Sequence, residues 1–149
     1  MISQVTEQLF SGRAKLAYQP ETLHELGITS VVKLYEWHPI WPDGFRVLDS
    51  PFPDGEHIAS ERLAAFDQHI AAEISAGERV LVVCGAGMSR SATVVLSYLV
   101  FSGMGLHEAY ELLWAKQHDT QPHPYLWRSL IEHHGLEITL AEVLAWRRT

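Results

Sequence analysis

The sequence predicts an α/β fold, with a central, mainly parallel sheet flanked by helices on both faces. Three observations carry this expectation. Short β-branched apolar runs alternate with longer amphipathic segments along the chain. Glycine or proline punctuates most of the junctions between them. One apolar run, residues 80–83, passes through a short Gly-containing loop straight into an apolar helix. That arrangement places a site at the C-terminal end of a parallel strand.

Residues 5–10 read as a first strand, closed by Ser11-Gly12. A short helix follows over 20–26, with Pro20 near its first turn and Gly27 at its end. Residues 28–34 form a second strand. A loop rich in Trp and Pro spans 35–44, a third strand 45–48, and a second loop 49–57 with Pro51, Pro53 and Gly55. Residues 60–75 are amphipathic, with Leu63, Phe66, Ile70 and Ile74 on one face. The strand over 79–83 delivers Cys84. The helix from Arg90 to Ser102 is apolar nearly all round, which predicts the buried centre of the helical layer, with Ser89 as its N-cap. Gly103 and Gly105 stop it. Further helices fall at 106–117 and 125–134, and Thr139-x-x-Glu142 resembles a capping box that opens a last helix.

The 149 residues form one domain, 1–149, long enough for a real core. Repeats, low-complexity segments and linkers are absent from the sequence. The formal net charge of −7 argues against nucleic acid or an anionic membrane as partner. Cys84 is the only cysteine, so no intramolecular disulfide forms, and a reducing cytoplasm is the expected location. The N-terminal residues lack the basic and apolar regions of a secretory signal, and the apolar run 92–101 is too short to span a bilayer. Oligomeric state is not legible.

The chemistry concentrates in Val83-Cys84-Gly85-Ala86-Gly87-Met88-Ser89-Arg90-Ser91. A strand–loop–helix of this kind points several backbone N–H groups at one spot, and the helix N-terminus adds its partial positive charge. Gly85 and Gly87 permit the backbone conformations of such a nest. Gly85, Ala86, Gly87, Met88, Ser89 and Arg90 are the candidate phosphate-binding residues, and Arg90 can grip two phosphate oxygens with its planar fork. Cys84 then faces a site built for a dianion. The same donors favour its thiolate, the nucleophilic form, and Ser91 can donate to the sulfur. Without Gly-Lys-Ser/Thr the loop is not a nucleotide P-loop.

Cys84-x5-Arg90-Ser91, with Gly87 inside, resembles the signature loop of the cysteine-based protein tyrosine phosphatases. The residues Ala86-Gly87-Met88-Ser89-Arg90-Ser91-Ala92 are closest to the dual-specificity branch. Leu9-Phe10-Ser11-Gly12, the strand from Gly27, Glu108-Ala109 and the stretch from Pro122 to Leu130 extend the resemblance over most of the chain. It implies a phosphatase that hydrolyses phosphotyrosine and, in a shallow cleft, phosphoserine or phosphothreonine. The route runs through a phosphocysteine, with a phosphorylated protein as substrate and no cofactor. The family usually has a histidine before the cysteine. Val83 stands there instead, which shifts more of the loop's ordering onto the backbone nest. A phosphoprotein-binding module with little turnover is the alternative that Val83 motivates. Lysines typical of the phosphoinositide-acting members are missing between Cys84 and Arg90, so an inositol lipid is disfavoured.

Trp41-Pro42-Asp43 spells the acid-bearing loop of the tyrosine-specific branch, but it precedes the third strand and reads as a decoy. The equivalent place is the loop after that strand. Asp54 precedes Cys84 by 30 residues and Asp49 by 35. The first spacing is more similar to the dual-specificity enzymes, so Asp54 is the expected general acid, with Asp49 as the alternative. His118, His123, His133 and His134 lack a convincing third ligand and read as surface histidines, with no metal. Trp37, His38 and Trp41 could line the pocket, whereas Trp114, Trp127 and Trp146 read as core.

Overall fold

The computed structural model describes residues 2–14, 18–37, 40–85 and 88–146. Strands β1 (Ile2–Gln4), β2 (Leu9–Arg13), β3 (Ile28–Lys33), β4 (Arg46–Asp49) and β5 (Arg79–Cys84) form one sheet in the order β1-β2-β5-β3-β4. Only the β1–β2 pair is antiparallel. The helices among the described residues are α1 (Pro20–Glu25), α2 (Ser60–Ser75), α3 (Ser89–Phe101), α4 (Leu106–Lys116), α5 (Pro124–His133) and α6 (Leu140–Leu144).

The strand that carries Cys84 is therefore central, held by β2 on one side and β3 on the other. Its side chains alternate between two cores, as strand geometry requires. Val80, Val82 and Cys84 face the larger one, built with α2 to α6. Leu81 and Val83 face the smaller one, with Phe10, Leu23 of α1, Ile28, Val31, Tyr35 and Trp41. The helical layers are thus unequal. Of the described helices, five lie on one face, while the other carries α1 and the connection from β3 to β4. In that connection Trp41 Nε1 donates to Tyr35 Oη at 3.0 Å, and the Trp41 ring meets Tyr18 and Phe45 edge-on. Burial pushes the Tyr35 phenol up to about 12, so it stays protonated at physiological pH. Leu81 is fully buried at the centre of this layer. Leu81→Ala is expected to lower unfolding stability by about 2–5 kcal/mol, read from denaturant midpoints at unchanged slope.

Two expectations need correction. The first strand is not residues 5–10 but a hairpin, with Ile2 opposite Gly12 and Gln4 opposite Phe10. Val5 and Thr6 turn inward, both donating their N–H to Leu9 O at 2.8 and 3.1 Å, while Thr6 Oγ1 accepts from Leu9 N. A side-chain-capped turn of this kind breaks an apolar run that looks continuous on paper. Ser11 and Gly12 lie inside β2, not at its end. Ser89, second, is not the N-cap of α3. Met88 holds that position and Ser89 is the first helical residue. Its hydroxyl reaches across to another loop, as described below.

The helix over 60–75 appears with the expected bounds and buries Leu63, Phe66 and Ile70. Its inward face also buries a carboxylate, Asp67, whose Oδ2 lies 3.0 Å from His133 Nε2 on α5. Thr139 caps α6 by accepting from Glu142 N at 3.1 Å. Trp127 is fully buried, and Trp114 and Trp146 pack on the larger core. At the sheet edge β4 is mostly exposed, and Arg46 on it pairs with Glu73 and Glu78, a charged edge that discourages pairing with another strand.

Candidate active site

Cys84 ends β5 and is fully buried, because the apolar strand carries it beneath the start of α3. Its Sγ lies 3.3 Å from Ser91 Oγ in the first turn of that helix, and Ser91 in turn meets Ser11 Oγ on β2 at 3.4 Å. All three groups are buried. As a thiol, Cys84 donates to Ser91; as a thiolate, it would accept from the same hydroxyl. The N-terminal N–H groups of α3 lie on this side of the sheet and favour an anion there.

Gly85 follows. A Cβ built on it would sit 3.2 Å from Arg90 Nη2 and 3.3 Å from Cζ2 of Trp37. The backbone is therefore sandwiched between a guanidinium and an indole, and only glycine fits without displacing one of them. Trp37 itself is 53% exposed, so one side of its ring is open at the mouth of the site. Trp41 packs in the opposite core, the other of the two readings its loop position left open. His38, Ala86 and Gly87 lie outside the described residues. Met88 is buried and accepts from Gln117 Nε2 at 3.7 Å.

Arg90 is held by backbone. Its Nη1 donates to Leu34 O at 3.2 Å, just past β3, and to Phe52 O at 3.3 Å, in the loop after β4. One edge of the fork is thus anchored, and Nη2 sits beside the Cys84–Arg90 loop. The two carbonyls come from loops that residue types alone do not connect to this arginine.

The loop after β4 carries Asp54 to the same place. Ser89 Oγ donates to Asp54 Oδ1 at 2.7 Å and accepts from His123 N at 2.9 Å. Gly55 N also donates to Asp54 Oδ1 at 3.0 Å, so Oδ2 is the oxygen left for other chemistry. The start of the loop is tied down by Arg62 on α2, whose Nη2 donates to Ser50 O, Ser50 Oγ and Pro51 O at 3.1, 2.6 and 3.2 Å. Asp49 is placed differently. It ends β4, is 60% exposed, and its Oδ1 lies 3.4 Å from Lys33 Nζ. Asp43 is exposed in the preceding connection, beside Trp41. The structure therefore brings Cys84, Gly85, Arg90, Ser91, Ser89 and Asp54 together, and leaves Asp49 engaged with a lysine. Arg62 and Trp37 complete the surroundings. Arg62 had no signal in the sequence beyond its place on a helix.

The late histidines are not uniformly on the surface. His118 is exposed, but His123, His133 and His134 are partly buried. His123 packs against Gly55 and, through its backbone N–H, holds Ser89. A cleft of about 310 Å³ runs past Asp54, Met88, Ser89 and His123, and a larger one of about 590 Å³ lies on the other side of Met88, bounded by Arg13, Lys116 and His118.

Comparison with known proteins addresses the family and the fold. Residues 9–135 match the family model of the dual specificity phosphatase catalytic domain. The chain is 33% identical over 139 residues to human dual specificity protein phosphatase 14, covering 89% of this chain and 68% of that protein. It is also 33% identical over 130 residues to Arabidopsis thaliana dual specificity protein phosphatase 1B, covering 83% and 75%. A crystal structure of a mouse putative dual specificity phosphatase complexed with zinc tungstate superimposes with a TM-score of 0.83 at 28% identity, over 90% of this chain and 86% of that one. Human DUSP28 superimposes equally well, with a TM-score of 0.83 at 27% identity over 90% and 93%. With residues 9–135 matched by the family model and relatives at 33% identity, the chain belongs to the dual specificity phosphatase family.

Proposed function

We propose that the chain is a cysteine-dependent protein phosphatase, with residues 1–149 as one catalytic domain. It hydrolyses phosphotyrosine and, through a shallow cleft, phosphoserine and phosphothreonine. The observation that carries this is the convergence of the Cys84 sulfur, the anchored Arg90 fork and the tethered Asp54 carboxylate on one loop. Cys84 Sγ attacks phosphorus, forming the P–S bond as the P–O bond to the substrate breaks. Asp54 gives its proton to the departing oxygen. Arg90 Nη2 and the N–H groups of the 85–90 loop hold the phosphoryl oxygens, the charge-stabilising role that usually dominates such steps. Water then attacks phosphorus, Asp54 takes its proton, and the P–S bond breaks with Ser91 donating to the sulfur. Chemistry needs no metal, so turnover persists with a chelator present. The single thiol is in keeping with a reducing compartment, and no described helix is long and apolar enough to cross a membrane.

Release of phosphate from an aryl phosphate tests the proposal. Val83, standing where the family usually has a histidine, motivates the second reading, a phosphoprotein-binding module. That module would bind phosphate or vanadate without releasing product. For the general acid, Asp54→Asn is expected to slow phosphotyrosine hydrolysis by about 100-fold and an activated nitrophenyl phosphate much less, because a good leaving group needs little protonation. Asp49→Asn is expected to behave like wild type on both. The reverse pattern would assign the acid to Asp49 and make the Ser89 tether a structural contact.

A further inference from the structure

Asp67 is an unusual residue to find in a helical core. It is fully buried, on the inward face of α2, and its Oδ1 has no hydrogen-bond partner. A fully buried carboxylate paired through one oxygen alone is expensive, and a divalent cation on that oxygen would neutralise the whole group. Two imidazoles from the end of α5 stand against it. Asp67, His133 and His134 each place one ligand atom within 4.8 Å of the others. We propose that Asp67, His133 and His134 form a zinc-binding site, separate from the Cys84 loop.

The chemistry of the donor set fits zinc, which takes imidazole nitrogen and carboxylate oxygen at about 2.0–2.2 Å. His133 Nε2 and Asp67 Oδ2 are 3.0 Å apart. Two ligands at that separation, each about 2.1 Å from one ion, subtend an angle of about 90° at it. A zinc ion replacing the proton between them therefore needs only a small opening toward the tetrahedral angle. The other ring nitrogens are already engaged as the outer shell of a metal site should be. Ser60 Oγ lies 2.6 Å from His133 Nδ1, and Ser97 Oγ on α3 lies 3.0 Å from His134 Nε2. Each serine can accept from the N–H of its ring, which fixes the tautomer with the opposite nitrogen as ligand, Nε2 in His133 and Nδ1 in His134. Water supplies the fourth position, and His133, 12% exposed, lies on the path in. Bound zinc would tie α2 to α5, with α3 in the outer shell. The sequence hides the site because its carboxylate lies 66 residues from the imidazole it touches.

The test uses the full chain as Cys84→Ser, so that no thiol competes for metal. Calorimetric titration with Zn²⁺ is expected to show one equivalent bound with a micromolar or tighter Kd. Co²⁺ is expected to give the visible ligand-field bands of a four-coordinate site. At zinc a hundredfold above Kd, Tm is expected to rise by about 5–10 °C. His133→Gln and His134→Gln should each weaken zinc at least 100-fold, and Ser97→Ala about 10-fold, while His118→Gln leaves it unchanged. His134→Gln keeps the test open where Asp67→Asn fails to fold, and the metal-free Tm of each variant checks its fold. Millimolar or weaker binding, or stoichiometric binding that survives both histidine changes, overturns the proposal and leaves Asp67–His133–Ser60 as a hydrogen-bond relay only.

Discussion

Cys84→Ser is expected to release no measurable phosphate while still binding vanadate or phosphate. The loss should be on the order of 10⁴-fold or more, as when a nucleophile is removed from a unit that acts together. A serine hydroxyl ionises far less readily than a thiol, so in the same place it stays protonated and is a weak nucleophile. Ser91 is hydrogen-bonded to the sulfur at 3.3 Å and to Ser11, and neither hydroxyl is a base. Binding should survive because Arg90 and the N-terminal N–H groups of α3, the proposed phosphate donors, stay in place. Single-turnover phosphate release and vanadate titration of the same preparation check both halves. Retained turnover in this variant would remove Cys84 from the mechanism.

Arg90→Lys is expected to lower kcat/KM on every phosphomonoester by about 10²–10³-fold, the range seen when one donor to a developing oxyanion is removed. The structure explains why the positive charge alone is insufficient. Arg90 uses one nitrogen to hold Leu34 O and Phe52 O and keeps the other beside the phosphate loop. A lysine has a single nitrogen and must choose between those tasks. If it serves the phosphate, the Phe52 carbonyl loses its donor and the loop bearing Asp54 loosens. Arg90→Lys should therefore also weaken the protonation of the leaving group by Asp54, so that poor leaving groups suffer most. A plot of log kcat/KM against leaving-group basicity, steeper than that of the parent, checks this. A lysine variant with full activity would mean that charge and not geometry carries the role.

How much of this was legible in the sequence depends on how local each signal is. Helix α2 shows its bounds because its apolar residues recur with a helical period over four turns. The cysteine strand and the loop to Arg90 are contiguous, so strand, nest, fork and hydroxyl can all be read within a dozen residues. The edge strand β1 is three residues long and carries no periodicity. The turn at Val5-Thr6 uses a hydroxyl that an apolar pattern ignores. Ser89 satisfies the sequence preference for an N-cap, yet its hydroxyl finds a better acceptor in Asp54, 35 residues away. The anchors of Arg90 are carbonyls 38 and 56 residues away, and a carbonyl is the same in every residue. Asp54 was reachable by its spacing to Cys84, but that Asp49 faces Lys33 instead depends on the β3–β4 register, in which Lys33 lies opposite Asp49.

The bonds from Arg90 to Leu34 and Phe52 have a thermodynamic consequence. The guanidinium proposed to meet the substrate's phosphoryl oxygens is also a strut between two connections of the sheet. Whatever strengthens its hold on one must alter its hold on the other, and the exchange is reciprocal. Oxyanion affinity and the order of the acid-bearing segment are therefore two readings of one heterotropic equilibrium. A substitution that slackens the segment after β4, even one that never touches substrate, draws down affinity for phosphate by the same free energy that phosphate would otherwise have returned as order in that segment.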